Sequence, residues 1–278
     1  MVFSLFFPKI PLDLSIKPLI GMIHLPSLIQ PLDMSHTLEY IFEISMQDAI
    51  TLEKAGFDAL LIENYHDMPY PKYRLDDIKF LLMSTFVKKI VEKVNIPCGI
   101  NILRNACVQA LIMATINQGS FIRCNIYEGA YVTDQGIIES VADEVHQKFK
   151  EMRSKVKILA DIHVKHATSL GDFSLEEAAT NALSREGADA IIVSGRTTGE
   201  LIEIAKLKNF MEITRIKPIL GSGLTISNLP DVFPYISGAI VGSSIKITDL
   251  SSPIDIKKAE ILVRNWKTEK KSEEGSKR

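Results

Sequence analysis

A single α/β domain closed as a (β/α)8 barrel is the fold this sequence predicts. Three observations lead there. Eight short, β-branched apolar runs recur along the chain: Pro18–His24, Asp58–Asn64, Pro97–Leu103, Ser120–Ile126, Val156–His163, Asp189–Gly195, Pro218–Gly223 and Gly238–Ser244. Most intervals between them carry apolar residues every three or four positions, the period of a helix covering a sheet. With 278 residues, the chain has room for one barrel of about 250 residues and little else.

Each element has a local reason to form. The interval after the fourth run places Ile138, Val141, Val145, Phe149 and Met152 on one helical stripe, with Asp143, Glu144, Gln147 and Lys148 on the opposite side. Ser174 followed by Glu177 forms a capping box, in which each side chain satisfies a backbone donor of the first turn. Gly56 and Gly187 precede strands and can take the left-handed conformation that ends a helix. An open, doubly wound sheet of eight strands is the alternative architecture. The predicted organisation is an N-terminal extension over 1–17, the barrel over 18–266 and a charged, mobile tail over 267–278.

Composition excludes several classes. Lys plus Arg number 32 against 34 Asp plus Glu, a net charge of −2, so no basic excess points to nucleic acid or an anionic membrane. Cys98, Cys107 and Cys124 are odd in number and lack CxxC spacing, which speaks against a disulfide framework or a zinc knuckle and for a reducing compartment. The apolar start MVFSLFFPKI is too short to span a membrane and has no cleavage-site pattern. A cytoplasmic protein without a transmembrane segment is expected. Mitochondrial import is the alternative, because no acidic residue precedes Asp13. A homo-oligomer is also expected.

In this fold the loops at the C-terminal ends of the strands converge on the site, so polar residues closing each run are the candidates. They are Glu63 and Asn64, Asn101 and Arg104, Arg123 and Asn125, and Asp161, His163 and Lys165, with His24 closing the first run. Strand alternation turns Arg123, Asn125, Asp161 and His163 toward the interior and Ile122, Cys124, Ile126, Ile158, Ala160 and Ile162 toward the helices. Asp161, His163, Lys165 and Glu63 are read as catalytic. A carboxylate beside an imidazole and an ammonium can hold proton donor and acceptor at useful pKa values. Asn64, Asn101, Arg104, Arg123 and Asn125 are read as substrate-binding. The plainer reading is a structural pairing of Arg123 with Asp161 or Glu63.

Two glycine-serine clusters, Gly221-Ser222-Gly223 and Gly242-Ser243-Ser244, follow the seventh and eighth runs. Glycines let backbone amides approach an anion and hydroxyls add donors, which makes this pair a phosphate cradle. A small phosphorylated molecule is the expected partner. Lys246 is expected to be an ordinary solvated lysine, and His36, His66 and His146 ordinary surface or cap residues. No cofactor is expected; a divalent metal through His24, Glu63, Asp161 and His163 is chemically allowed but matches no recognised ligand spacing.

These residues also carry a resemblance. IGMIHLP from Ile20, IENYHDMPY from Ile62, GINILRN from Gly99, FIRCN from Phe121, TDQG from Thr133, LADIHVKH from Leu159, SGRTTG from Ser194, GSGLT from Gly221 and IVGSSIK from Ile240 are similar to the BtpA family over about Pro18 to Arg264. That family includes cyanobacterial factors linked to photosystem I accumulation. The resemblance implies a TIM-barrel-like protein of the ribulose-phosphate-binding kind and supplies no reaction. It departs from the family pattern in three loops: Pro26–Pro31 lacks a glycine, His66 replaces a glycine, and Ala106 replaces an acidic residue. Two functions follow as expectations. One is an enzyme using acid-base chemistry on a phosphorylated metabolite, by isomerisation, aldol chemistry or hydrolysis. The other is a non-catalytic assembly or stability factor for a protein complex.

Overall fold

A computed structural model describes residues 7–28, 37–162, 167–195 and 203–275. Eight parallel strands close a barrel: β1 (Leu19–His24), β2 (Ala59–Glu63), β3 (Cys98–Asn101), β4 (Phe121–Cys124), β7 (Lys157–Asp161), β9 (Ala190–Val193), β10 (Ile219–Leu220) and β11 (Gly238–Val241). They are the eight runs marked in the sequence. Between and after them lie α1 (Leu38–Ala55), α2 (Asp77–Lys93), α3 (Cys107–Ile116), α4 (Ala142–Met152), α5 (Leu175–Thr180), α6 (Ile204–Thr214), α7 (Leu229–Val232) and α8 (Ile256–Gly275).

Strand alternation separates two cores. Ile62, Ile100, Ile122, Ile158, Ala160 and Ile191 face outward into the layer beneath the helices. Ile20, Met22, Leu61, Phe121, Leu159, Ile192, Ile219 and Ile240 fill the barrel interior, and Leu12 of the N-terminal segment joins them. That segment is also fixed by Lys9, whose ammonium donates to the carbonyls of Val91 and Val94 at 2.9 and 2.7 Å at the C-terminal end of α2. Ser174 and Glu177 form the expected capping box, and Gly56 ends α1 with φ of 91°.

Four features differ from the sequence reading. Ile138 is not on the α4 stripe; it belongs to an antiparallel addition of β5 (Ala130–Thr133), β6 (Gly136–Glu139) and β8 (Ala167–Ser169). Asp134 and Gln135 form the two-residue hairpin, and Gly136 follows with φ of 93°, a conformation glycine adopts without cost. The signal was present as TDQG between two β-branched runs. Ile126 turns under this small sheet with Tyr131 and Ile138 rather than under the helices. The segment after Trp266 is helical through Gly275 where a mobile tail is expected, because Glu273 accepts hydrogen bonds from Lys17 and Lys217 at 2.9 and 3.1 Å. Lys246 is buried, not solvated, and pairs with Asp48 at 2.7 Å.

Candidate active site

The strand register builds the site. His24, Glu63, Asn101 and Arg123 are aligned partners across β1, β2, β3 and β4, so four polar side chains form one row. Each lies two positions beyond an interior residue of its strand, where alternation turns the side chain inward again. The same step leads from Leu159 to Asp161, from Ile192 to Ser194, from Ile219 to Gly221 and from Ile240 to Gly242. An apolar layer therefore carries a polar crown at the C-terminal end of the barrel.

Within that crown, Arg123 and Asp161 form a fork-to-fork pair, with Nε and Nη2 donating to the two carboxylate oxygens at 2.8 and 2.9 Å. Asn125 donates to the same carboxylate at 2.8 Å. Burial disfavours the Arg123 charge, but the field and hydrogen bonds of Asp161 outweigh it and push the guanidinium pKa up. Of the two pairings the sequence left open, Arg123 takes Asp161. Glu63 instead accepts from the amide of Asn101.

Above the crown lies a cavity of about 700 Å³. Glu63, Arg104, Arg123 and Asn125 line it together with both clusters, Gly221-Ser222-Gly223 and Gly242-Ser243-Ser244. Arg104 is held there by its backbone: Leu103 N donates to Asn64 Oδ1 at 2.8 Å, and Arg104 N to the carbonyl of Pro71 at 2.9 Å. Desolvation lowers the Arg104 pKa from its ordinary value, against the opposing pull of Asp161, Asp134 and Glu63. Burial and then Glu63 push the Tyr70 hydroxyl well above its usual range, so it stays a donor, and it donates to the carbonyl of Tyr65.

The cavity does not gather every candidate. Asp161, Asn64 and Asn101 lie behind its lining, fully or almost fully buried and bonded to the residues that form it. His163 and Lys165 lie outside the described residues, as does His36. His66 and His146 are half-buried, and His146 Nε2 lies 2.9 Å from the hydroxyl of Tyr127. Among the described residues, no three His, Cys, Asp or Glu side chains converge on a metal position.

Several lining residues escaped the sequence reading. Tyr65, Tyr70 and Asp134 are in loops, where no alternation says which way a side chain points. Ser194 does not line the cavity but stands beneath Gly221, and it was within reach of the sequence, because Ile192 faces inward and the next inward position is Ser194. Its hydroxyl is buried without a hydrogen-bond partner, as are Asn125 Oδ1 and Ser244 Oγ.

A closed parallel barrel with its described cavity at the strand C-termini defines a TIM-barrel protein. The chain belongs to the BtpA family, whose model matches residues 15–268. An uncharacterised protein of Thermococcus kodakarensis is 41 % identical over 84 % of this chain and 89 % of its own. The photosystem I biogenesis protein BtpA of Synechocystis is 36 % identical over 83 % of this chain and 80 % of its own. An uncharacterised mitochondrial protein of Caenorhabditis elegans is 30 % identical over 84 % and 87 %. Among solved structures, thiamine phosphate pyrophosphorylase from Pyrococcus furiosus matches with a TM-score of 0.54 at 15 % identity, covering 91 % of this chain and 97 % of that one. This last likeness is one of fold. No helix among the described residues is long and apolar enough to cross a membrane.

Proposed function

We propose that the protein is an enzyme acting on a small phosphorylated metabolite by acid-base chemistry. One observation carries the reading: both glycine-serine turns line the same cavity as Glu63, Arg104, Arg123 and Asn125. An anion held by the turns would have its reacting carbon within reach of those side chains. Ser244 Oγ and Asn125 Oδ1 support this, since buried polar atoms without a protein partner beside a cavity are suited to bind a ligand.

In this reading the turn amides and the hydroxyls of Ser222, Ser243 and Ser244 bind phosphate, and Arg104 and Asn125 orient the substrate. Glu63 is the proton-transfer group of the described residues, because it lines the cavity and its carboxylate is positioned by the amide of Asn101. Asp161 acts through Arg123: three hydrogen bonds occupy its carboxylate, so it holds the guanidinium in place. His163 and Lys165, outside the described residues, keep their proposed part in proton transfer.

A protein-assembly role, as in the name of the Synechocystis relative, does not account for unpaired polar atoms around an open cavity. The test is thermal shift with inorganic phosphate and a panel of phosphorylated metabolites, on wild type and on Ser243→Asp. A ligand that binds only the native state raises Tm. Wild type should be stabilised by phosphorylated compounds, and the new carboxylate in the turn should abolish the effect. If no phosphorylated compound shifts the wild-type Tm, the reading fails.

A further inference from the structure

We infer that the phosphorylated substrate carries a planar ring, seated against Tyr65 on the wall after β2. The inference rests on the phosphate reading above and names the rest of the ligand. The cavity of about 700 Å³ is well inside the range of sites for drug-sized molecules and far larger than a three- or five-carbon sugar phosphate fills. Its polar lining is already assigned, to the phosphate and to the reacting carbon. The remaining lining is of a different chemistry.

The apolar part of the lining includes Tyr65, Met22, Met68, Leu103 and Leu250. Apart from the Tyr65 hydroxyl, none of these offers a sugar hydroxyl the polar partner it needs to offset its desolvation. An aromatic face with flexible thioethers around it suits a flat, polarisable group. The Tyr65 ring is also preorganised. It is tilted by 59° against His24 at a centroid distance of 4.9 Å and meets His66 edge-on at 5.1 Å. Its backbone carbonyl is held by the Tyr70 hydroxyl. Tyr65 and His66 are only half-buried, and Met68 is 64 % exposed, so an apolar rim stands open at the cavity mouth. A ring entering there would cover the rim while its phosphate reached the glycine-serine turns.

The placement of His24 joins the two ends of the ligand. Its Cε1 is 2.8 Å from the point where a Cβ on Gly242 would stand, so the residue that packs on Tyr65 also abuts the phosphate turn. Ring wall and phosphate turn are thus adjacent around the mouth.

Isothermal titration of the full chain with inorganic phosphate, ribose 5-phosphate, adenosine 5′-monophosphate and uridine 5′-monophosphate tests the inference. Wild type should bind at least one nucleotide about 10-fold more tightly than ribose 5-phosphate, the scale of one stacked ring. Tyr65→Ala should remove that preference and leave ribose 5-phosphate affinity within about 2-fold, while Tyr65→Phe keeps it. A Tm recorded for each variant establishes that it is folded. If phosphate and ribose 5-phosphate bind but neither nucleotide binds more tightly, or if Tyr65→Ala keeps the preference, the ring site is overturned and the phosphate reading stands. If no phosphorylated compound binds, both are overturned.

Discussion

Arg123, on β4, and Gly221, after β10, belong to strands separated by two others, yet Arg123 Nη2 lies 3.3 Å from the position a Cβ on Gly221 would take. The guanidinium, anchored on Asp161, reaches across the interior to the underside of a glycine-serine turn. Positive charge is thereby held close to the proposed phosphate position by a residue of β4. Loop and crown form one unit.

Gly221→Ala tests that close approach. The added methyl would stand 2.4 Å from Ser194 Oγ and 2.5 Å from Ile192 Cγ2, so the turn or its neighbours must shift. A loss of about 1–3 kcal/mol is expected, read as a Tm lowered by several degrees. A Tm within one degree or so of wild type would contradict the geometry.

Asp161→Ala should be among the most destabilising single changes in the crown. It leaves the Arg123 charge buried without its partner, a change that costs about 3–5 kcal/mol. Glu92→Ala removes the exposed Lys88–Glu92 pair, with side chains 64 % and 65 % exposed, and should cost less than about 1 kcal/mol. Urea denaturation of the two variants gives the comparison. Equal losses would show that the fork contributes no more than a surface pair.

The buried pair of Lys246 and Asp48 holds the segment after Ser243 and Ser244, with Asp48 Oδ1 also accepting from Ile254 N at 2.9 Å. Lys246→Met strands the carboxylate and should cost about 3–5 kcal/mol. Adding Asp48→Asn removes the stranded charge but keeps an acceptor for Ile254, so the double variant should recover most of the loss. A double variant no better than Lys246→Met would overturn this account.

Glu186 gives a pH signature. Burial, reinforced by Glu128, raises its pKa to about 7 from an ordinary 4.5. Between those values the folded state holds the proton and the unfolded state has released it, so stability falls as pH rises from about 4.5 to about 7. Glu186→Gln should match wild type at pH near 4 and exceed it at pH near 8. The expected gain is about 1 kcal/mol, or roughly 2–4 °C in Tm, after allowance for partial solvent screening. Parallel Tm–pH curves would contradict it.

Glu273 acts with the opposite sign. Burial alone would raise its pKa, but hydrogen bonds from Lys17 and Lys217 hold it down to about 2. Its contribution is present above the ordinary carboxylate pKa of 4.5 and is lost as pH falls toward about 2. Glu273→Gln should lower Tm at neutral pH, and the difference should vanish near pH 2. No difference at neutral pH would mean that the end of α8 is not fastened to the barrel.

The sequence disclosed more of the fold than of the site. Apolar runs such as Ala59–Glu63 and Lys157–Asp161 declare themselves because a strand buried on both faces has nowhere to place polar residues until its end. The same reasoning exposed Glu63, Arg123, Asp161 and the two glycine-serine turns, since a polar residue closing such a run stands out. Ile138 was misplaced because three- and four-residue spacing also fits a hairpin followed by a helix. Tyr65, Tyr70 and Asp134 gave no sign, because a loop side chain has no periodic neighbour to fix its direction.

By itself, the order of residues determined that eight parallel strands form the barrel, which side of each strand faces inward and some of the polar groups that reach the barrel mouth, Glu63, Arg104, Arg123 and Asn125 among them. Those facts follow from local steric and burial rules acting within a few residues. Only closure of the sheet decided that Arg123 takes Asp161 and leaves Glu63 to Asn101, that Arg123 reaches the underside of Gly221, and that Lys246 is buried against Asp48. Pairings of that kind depend on strand register and on distances between residues far apart in the chain, which charge and periodicity along a single segment do not specify.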